Sequence, residues 1–184
     1  MYYTIKVAGL ERDLPLCSIG NGLNIGAFIM FGDVELTVRC AEELLKLAPV
    51  HDVIITAESK GIPLAYEMCK QSGKNRYVLA RKSVKLYMKD VVACETQSIT
   101  TAAKQTLYID GDDAEYMKGK RVLIVDDVIS TGGSLLSLEN LVNLAGGNIV
   151  GKMTVLAEGD ATQRDDIIYL EKLPLFNEKG EPID

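Results

Sequence analysis

One stretch, residues 122–135, constrains the fold of this chain more than any other. It opens with four apolar residues, VLIV, which run without polar alternation up to two adjacent carboxylates, Asp126 and Asp127. A short, continuous apolar run is typical of a strand buried on both faces of a sheet. The segment STGGS, residues 130–134, and then apolar residues at helical spacing follow. The stretch therefore predicts a strand, a turn of small residues and a helix in succession.

The turn of small residues predicts an anion site. Gly132 and Gly133 allow the backbone to curl so that successive N–H groups point the same way, and the helix N-terminus adds its positive end. We expect a phosphate group in this turn, and the two carboxylates suit vicinal hydroxyls and a nearby Mg²⁺. A simple helix cap would use one Asp and leave the second unexplained.

Another strand–turn–helix unit lies upstream. Residues 53–57, VIITA, form a second continuous apolar run, and Pro63 suits the first turn of the helix that follows. A third apolar run, residues 77–80, ends at a cluster of cations. Repeated units of this kind predict a doubly wound, mostly parallel α/β sheet.

The acidic pair and the STGGS turn resemble the phosphoribosyl-pyrophosphate (PRPP) signature of the type I phosphoribosyltransferases. The stretch is not a Walker A loop, because no Lys follows the glycines. The resemblance covers residues from about 53 to 157 and implies the family's fold, with a small N-terminal hood and a flexible loop. It implies that the PRPP 5′-phosphate binds at Val128, Ile129, Ser130, Thr131, Gly132, Gly133 and Ser134.

The resemblance also implies a pyrophosphate site. Residues 58–61 are similar to the family's acidic-Ser-x-Gly loop, whose backbone N–H groups bind pyrophosphate. An Arg-Lys pair stands at the end of the third strand in the adenine and xanthine branches, as it does here. The implied pyrophosphate-binding residues are Glu58, Ser59, Lys60, Gly61, Arg81, Lys82 and Lys85.

The implied reaction is displacement of pyrophosphate from PRPP by a purine nitrogen, without a covalent nucleophile. Asp126, Asp127 and Lys82 are the implied catalytic residues. The carboxylates hold the ribose hydroxyls and favour a cation-like ribosyl carbon, and Lys82 stabilises the leaving polyanion. Mg²⁺ is the implied cofactor, held mainly by PRPP near Asp126 and Asp127.

Three positions bear on the choice of base. The hypoxanthine–guanine branch carries an Asp where this chain has Ser130. The xanthine branch carries an Asn and a Lys at the positions nearest to Met30 and Gly159, neither of which donates to a carbonyl oxygen through its side chain. We therefore predict adenine as the base and AMP as the product, with xanthine or hypoxanthine as the alternative. The Glu that adenine enzymes usually carry near Thr101 is absent, and Glu95 is a candidate in its place.

We expect one domain over residues 1–184. Residues 1–32 are Gly-rich and irregular and align with the hood, where Phe28 and Ile29 are expected to wall the base pocket. Residues 86–104 are expected to form a flexible loop that closes over PRPP.

A first helix is predicted between the hood and the second strand–turn–helix unit. Asp33 is the expected N-cap and Pro49 ends the helix. His51, the only histidine, is expected to be solvated in the loop that follows. The predicted core-facing side of the helix carries Val34, Val38, Ala41, Leu45 and Ala48.

Composition excludes some partners. The chain carries a net charge of −6 and a pI near 4.9, which argues against binding nucleic acid or an anionic membrane surface. Four scattered cysteines without a CxxC pair are typical of reduced thiols in a cytoplasmic protein. Nothing in the first residues resembles a signal peptide and no apolar run reaches membrane length, so we expect neither a leader nor a membrane span. The expected partners are PRPP, a purine base and, by resemblance alone, a second copy in a homodimer.

A PRPP-sensing regulator with the same fold and signature is the alternative from another class. Such repressors place a helix-turn-helix domain before the fold, and residues 1–32 are too few and too Gly-rich to form one. An enzyme acting on a non-purine base is a third possibility, which only an assay separates from the first.

Overall fold

A parallel sheet forms the centre of the molecule. The computed structural model describes residues 1–97 and 104–183. In these ranges five parallel strands lie in the order β10–β9–β8–β4–β5. Their bounds are β4 Val53–Ala57, β5 Val78–Ala80, β8 Arg121–Ile129, β9 Asn148–Glu158 and β10 Ile168–Leu173. The continuous apolar runs of β4 and β8 have no exposed surface for Val53, Ile54 and Ile55 or for residues 122–125, as strands covered on both faces require.

Helices cover both faces of this sheet. Helices α1 (Val34–Leu47) and α2 (Ile62–Gln71) share one apolar core with the sheet, and α4 (Gly133–Leu144) and the short α3 (Gly111–Met117) share the other. The predicted doubly wound α/β class is confirmed. No helix in the described ranges is long and apolar enough to cross a membrane.

The strand order places two loops side by side. The chain passes from β4 outward to β5, and then returns to β8 on the other side of β4 before continuing to β9 and β10. Such a reversal opens a crevice at the carboxyl ends of the two neighbouring strands, where ligands bind in open α/β sheets. The loops after β4 and β8 carry residues 58–61 and 130–134, so the fold brings the two predicted anion-binding segments together.

An antiparallel sheet adjoins the core. Among the described residues it contains four strands in the order β1–β2–β3–β11. Their bounds are β1 Tyr2–Val7, β2 Leu10–Gly20, β3 Leu23–Gly26 and β11 Leu175–Asn177. Residues 1–32, expected to be irregular, are largely regular strand, and the C-terminal strand β11 completes the sheet by pairing with β3.

A two-stranded ribbon lies where the flexible loop was predicted. Strands β6 (Val92–Gln97) and β7 (Lys104–Ile109) pair antiparallel, and β7 bridges to the end of β5 through Arg81 and Tyr108. Residues 98–103, which include Thr100 and Thr101, lie outside the described residues.

The first helix begins as predicted, and its predicted core-facing side is covered in part, with Leu45 and Ala48 packed against the core. The Asp33 carboxylate accepts a hydrogen bond from the Leu36 N–H at 3.0 Å, and Ala48 ends the helix before Pro49. Of the predicted core positions only Ala41 is fully buried, whereas Val34 is 73% exposed. His51 is buried rather than solvated, and its Nδ1 lies 2.8 Å from the Pro49 carbonyl oxygen.

Candidate functional site

The acidic pair lies inside strand β8, not after it. Pairing with β9 continues to Ile129, two residues beyond Asp127. Asp127 is buried, Asp126 is half-buried, and the Asp127 N–H donates to the Asp126 carboxylate at 2.9 Å. Burial raises the pKa of Asp126 above its usual range, and the charge of Asp127 adds to this effect. Two carboxylates this close and this enclosed form a site that favours cations and hydroxyl donors.

Lys60 supplies a positive charge from the neighbouring loop. Its Nζ lies 3.0 Å from Asp127 Oδ2, but Oδ2 makes no hydrogen bond. The contact is therefore an ion pair without a hydrogen bond. Asp127 is enclosed and the Lys60 side chain is about half exposed. The contact therefore joins the loop after β4 to the end of β8, and Lys60 keeps access to the crevice.

Gly61 allows the two loops to approach closely. A Cβ atom at this position would stand 2.2 Å from Thr56 Oγ1 and 3.0 Å from Asp126 Oδ1, distances at which atoms collide. Its φ of −72° is open to any residue, so the requirement here is space and not backbone conformation. Earlier in the same loop, the peptide bond between Glu58 and Ser59 is cis.

The turn after β8 forms a small polar cradle. Gly132 adopts a left-handed conformation with φ +78° and precedes α4, whose first turn has no side-chain cap. The cavity there measures about 80 Å³ and is lined by Asp126 and residues 128–135. It has room for several water-sized groups, which is the size class of a phosphate. Uncapped N–H groups at a helix start favour an anion in this cavity.

Glu58 connects the loop after β4 to the cationic residues that follow β5. Glu58 Oε2 accepts the Lys82 N–H at 3.0 Å, which lowers the pKa of Glu58, and lies 3.4 Å from Arg81 Nε. Arg81 also donates to the Tyr87 hydroxyl, and Lys85 Nζ to Ser83 Oγ. Glu58 therefore anchors the end of β5. The Lys82 ammonium makes no hydrogen bond or ion pair within the described part of the chain and is free to meet an incoming anion.

The predicted base-pocket residues differ in accessibility. Phe28 is buried in the core shared with α1 and α2, and Met30 is buried there as well. Ile29 between them is 55% exposed. An exposed apolar side chain next to buried ones suits a wall, so Ile29 fits the predicted contact with a base better than Phe28 does.

Curated relatives of this chain are named hypoxanthine/guanine phosphoribosyltransferases. A hypoxanthine/guanine phosphoribosyltransferase of Methanosarcina mazei is 31% identical over 129 residues, which cover 70% of this chain and 64% of the relative. One from Methanothermococcus okinawensis is 30% identical over 152 residues, 79% of each chain. The chain thus spans less than two thirds of the first relative's length. Residues 39–179 match the phosphoribosyl transferase domain family.

The chain is a member of the type I phosphoribosyltransferase family. The predicted resemblance is thereby confirmed, and solved structures of the family share the fold. The adenine phosphoribosyltransferase of Thermoanaerobacter pseudethanolicus superposes with a TM-score of 0.73 at 23% identity, over 86% of this chain and 95% of that one. The enzyme of Rhodothermus marinus gives 0.66 at 20% identity, over 94% of each chain.

The acidic pair of this family member fits a Mg²⁺ ion that is shared with a bound phosphate compound. Asp127 Oδ2 is buried without a hydrogen bond, and Asp126 supplies further oxygens beside it. Over residues 1–97 and 104–183 no three His, Cys, Asp or Glu side chains converge as a metal cage would require. Mg²⁺ commonly binds one or two carboxylates together with substrate phosphates, so the residues present suit that arrangement.

One residue beside the site has no counterpart in the sequence prediction. Arg164 follows a short 3₁₀ turn after β9, and its guanidinium lies against Gly132 in the turn after β8. No motif surrounds Arg164 in the sequence, and only the path of the chain after β9 brings it there.

Proposed function

We propose that this chain transfers the phosphoribosyl group of PRPP to a ring nitrogen of a purine base. The products are a nucleoside 5′-monophosphate and pyrophosphate. The observation that carries the proposal is the Lys60–Asp127 contact of 3.0 Å. It joins a loop that suits pyrophosphate to a strand end that suits ribose and its 5′-phosphate, which are the two halves of PRPP.

The phosphate turn and the acidic pair hold the ribose half in this proposal. The 5′-phosphate lies in the cavity of residues 130–134, where backbone N–H groups and the start of α4 face it. Asp126 and Asp127 accept hydrogen bonds from the ribose hydroxyls next to the turn. Binding energy from the remote phosphate thus aligns the ribosyl carbon for attack.

The neighbouring loops stabilise the leaving group. Pyrophosphate gains negative charge as the bond to the ribosyl carbon breaks, and Lys60, Lys82 and Arg81 lie on the side where it departs. The Ser59 and Gly61 backbone N–H groups add donors at the same edge. Mg²⁺, when bound with PRPP, neutralises further charge. The carboxylates favour the positive charge on the ribosyl carbon.

Adenine is the base that the sequence argument proposes. Met30 and Gly159 offer no side-chain donor to the oxygens of an oxopurine, and Ser130 replaces the Asp of the hypoxanthine–guanine branch. Ile29 gives the hood an exposed apolar side chain. An apolar wall with backbone hydrogen bonding suits adenine, which carries no exocyclic oxygen.

Hypoxanthine or guanine is the second candidate. Relatives at 30% and 31% identity are named hypoxanthine/guanine phosphoribosyltransferases. The solved structures named adenine phosphoribosyltransferase are below 25% identity and support the fold only. The relatives therefore favour an oxopurine, and the hood residues favour adenine.

A base panel tests the proposal. Purified protein with PRPP and Mg²⁺ is offered adenine, hypoxanthine, guanine and xanthine in separate reactions, and mononucleotide and pyrophosphate are measured. Turnover with adenine alone supports the sequence argument, whereas turnover with hypoxanthine or guanine supports the relatives' names. PRPP binding without turnover on any of the four bases would contradict purine transfer and favour a PRPP-sensing regulator or an enzyme that acts on another base. A homodimer in the cytoplasm belongs to the same proposal, and sedimentation velocity tests the dimer.

A further inference from the structure

Arg164 occupies the space behind the phosphate turn. A Cβ atom placed on Gly132 would stand 3.0 Å from Arg164 Nη1. Gly132 holds the left-handed conformation that starts α4. The guanidinium therefore covers the residue on which the shape of the turn depends. Arg164 does not line the cavity itself, which is formed by Asp126 and residues 128–135.

A carboxylate fixes the plane of this guanidinium. Arg164 Nε donates to Asp166 Oδ1 at 2.8 Å and Nη2 donates to Oδ2 at 2.7 Å. A two-pronged pair of this kind sets orientation as well as energy. The third nitrogen, Nη1, makes no hydrogen bond within the described ranges and faces Gly132. The fork thus directs one N–H edge at the turn.

A half-buried lysine ties the pair to the sheet and to the helix. Lys152, inside β9, donates to Asp166 Oδ2 at 2.5 Å and to Glu139 Oε1 of α4 at 2.5 Å. Burial alone would lower the pKa of Lys152, but these two carboxylates outweigh it and the pKa is raised. The four side chains carry no net charge together, so their effect on the turn is local and set by orientation.

We propose that Arg164 is a positioning residue for the ribose-5-phosphate half of the substrate. Its guanidinium holds Gly132 in place and presents positive charge behind the N–H groups that meet the phosphate. The proposal rests on the proposed function, because it assumes that the 5′-phosphate binds in this turn. A donor edge close to a dianion strengthens binding, and the helix start acts in the same direction.

Ligand-selective binding tests the proposal. We expect Arg164→Ala to weaken binding of ribose 5-phosphate about tenfold and to leave pyrophosphate binding within about twofold. In turnover, the KM for PRPP rises by a similar factor, and kcat changes less. Arg164→Lys keeps the charge without the fork and should recover about half of the loss on a logarithmic scale. Titration calorimetry with each ligand gives the binding constants.

Arg121→Ala is the matched control. Arg121 makes the same two-pronged pair with Asp52, at the opposite end of β8. Loss of the Arg121 side chain should leave the binding constants of both ligands unchanged. If Arg164→Ala does not fold by circular dichroism, Arg164→Gln replaces it in the same titrations. Unchanged ribose 5-phosphate binding, or equal weakening of both ligands, overturns the proposal. A wild-type protein that binds neither ligand overturns the proposed function, and this inference with it.

Discussion

Gly61 and Gly132 have different physical reasons to be glycine. At Gly61 the backbone is ordinary, but Thr56 and Asp126 leave no space for a methyl group. At Gly132 the φ of +78° disfavours a side chain, and Arg164 fills the space as well. Gly61 lies where the loop after β4 meets β8, and Gly132 lies in the turn after β8. The site therefore depends on close approach of backbone as much as on charged side chains.

Replacing Gly61 by Ala should distort the site through a steric clash, without any change in charge. The added methyl group would push against Thr56 Oγ1 and Asp126, and overpacking of this kind costs about 1–3 kcal/mol in unfolding free energy. We expect lower turnover as well, because Asp126 shifts. Urea unfolding and initial rates measure the two effects.

Gly133→Ala is the matched control for stability. Its Cβ would meet no atom within 4 Å, and the residue opens helix α4. The unfolding free energy should stay within about 0.5 kcal/mol of wild type or rise. A Gly61→Ala variant as stable as the wild type would contradict this prediction and show that the loops have room to separate.

At the residue scale, the chemistry of a contiguous motif could be predicted from the sequence, whereas contacts between distant residues could not. The acidic pair and the small-residue turn are contiguous, so their spacing alone indicates an anion site. Arg164 is brought to the turn by the chain after β9, and no local pattern reports that path. His51 was expected in solvent, but its Nδ1 lies 2.8 Å from the Pro49 carbonyl oxygen. Burial of the ring lowers the pKa of His51.

At the scale of elements, helix α1 shows where periodicity misleads. Its N-cap and end were predicted, but the sequence allows two overlapping apolar stripes. Leu36, Cys40 and Leu44 face the core, because the sheet and α2 determine which stripe is covered. Val34 and Val38 instead line an open groove with Tyr66. Both end signals are local, whereas the buried side depends on tertiary packing.

The ion pair at the start of α1 gives a pH-dependent prediction. Asp33 bonds to Arg12 at 2.7 Å, which lowers the pKa of Asp33 below its unfolded value. Its contribution is therefore present above the unfolded pKa and is lost as pH falls through the folded pKa. Asp33→Asn keeps a good cap and removes the charge.

We expect the variant to be less stable than wild type by about 0.5–1 kcal/mol at pH 7. The difference should shrink as pH falls through the folded pKa of Asp33, because the protonated Asp33 side chain is then as uncharged as asparagine. Urea unfolding at several pH values measures it. A difference that persists unchanged in acid would show that the cap, and not the ion pair, is responsible.

Lys152 is the exception inside strand β9. The sequence places a cation within a core strand, and the structure pairs it with Glu139 and Asp166. Lys152→Met should lower the unfolding free energy by about 2–3 kcal/mol, because the largely enclosed Glu139 carboxylate loses its ion-pair partner, while the exposed Asp166 keeps Arg164. Lys46→Met, which breaks exposed pairs on α1, should cost less than about 1 kcal/mol. Equal costs would contradict the role assigned to burial.

At the scale of the whole molecule, the C-terminus closes the N-terminal sheet. Strand β11 pairs with β3, and Phe176 is fully buried with its ring 4.8 Å from that of Tyr3. The parallel sheet could be predicted because each strand is a continuous apolar run. The closure by β11 could not, because three residues after Pro174 carry too little pattern and pair across about 150 positions.

Phe176→Ala tests this closure. The loss of a fully buried aromatic side chain should lower the unfolding free energy by about 3–5 kcal/mol. Tyr2→Ala, at a 73% exposed position of the same sheet, should cost less than about 1 kcal/mol. Faster hydrogen exchange of the β3 amides should accompany the loss. A small cost for Phe176→Ala would mean that β11 is dispensable for the sheet.

The central claim is that the strand end with Asp126 and Asp127 processes PRPP. The most direct measurement is kcat/KM for PRPP, with the base that supports turnover, for wild type, Asp127→Asn and Asp52→Asn. The account predicts a loss of about a hundredfold or more for Asp127→Asn. It predicts no change beyond about twofold for Asp52→Asn, which alters a carboxylate paired with Arg121 at the far end of the sheet. Wild-type rates in Asp127→Asn would contradict the account.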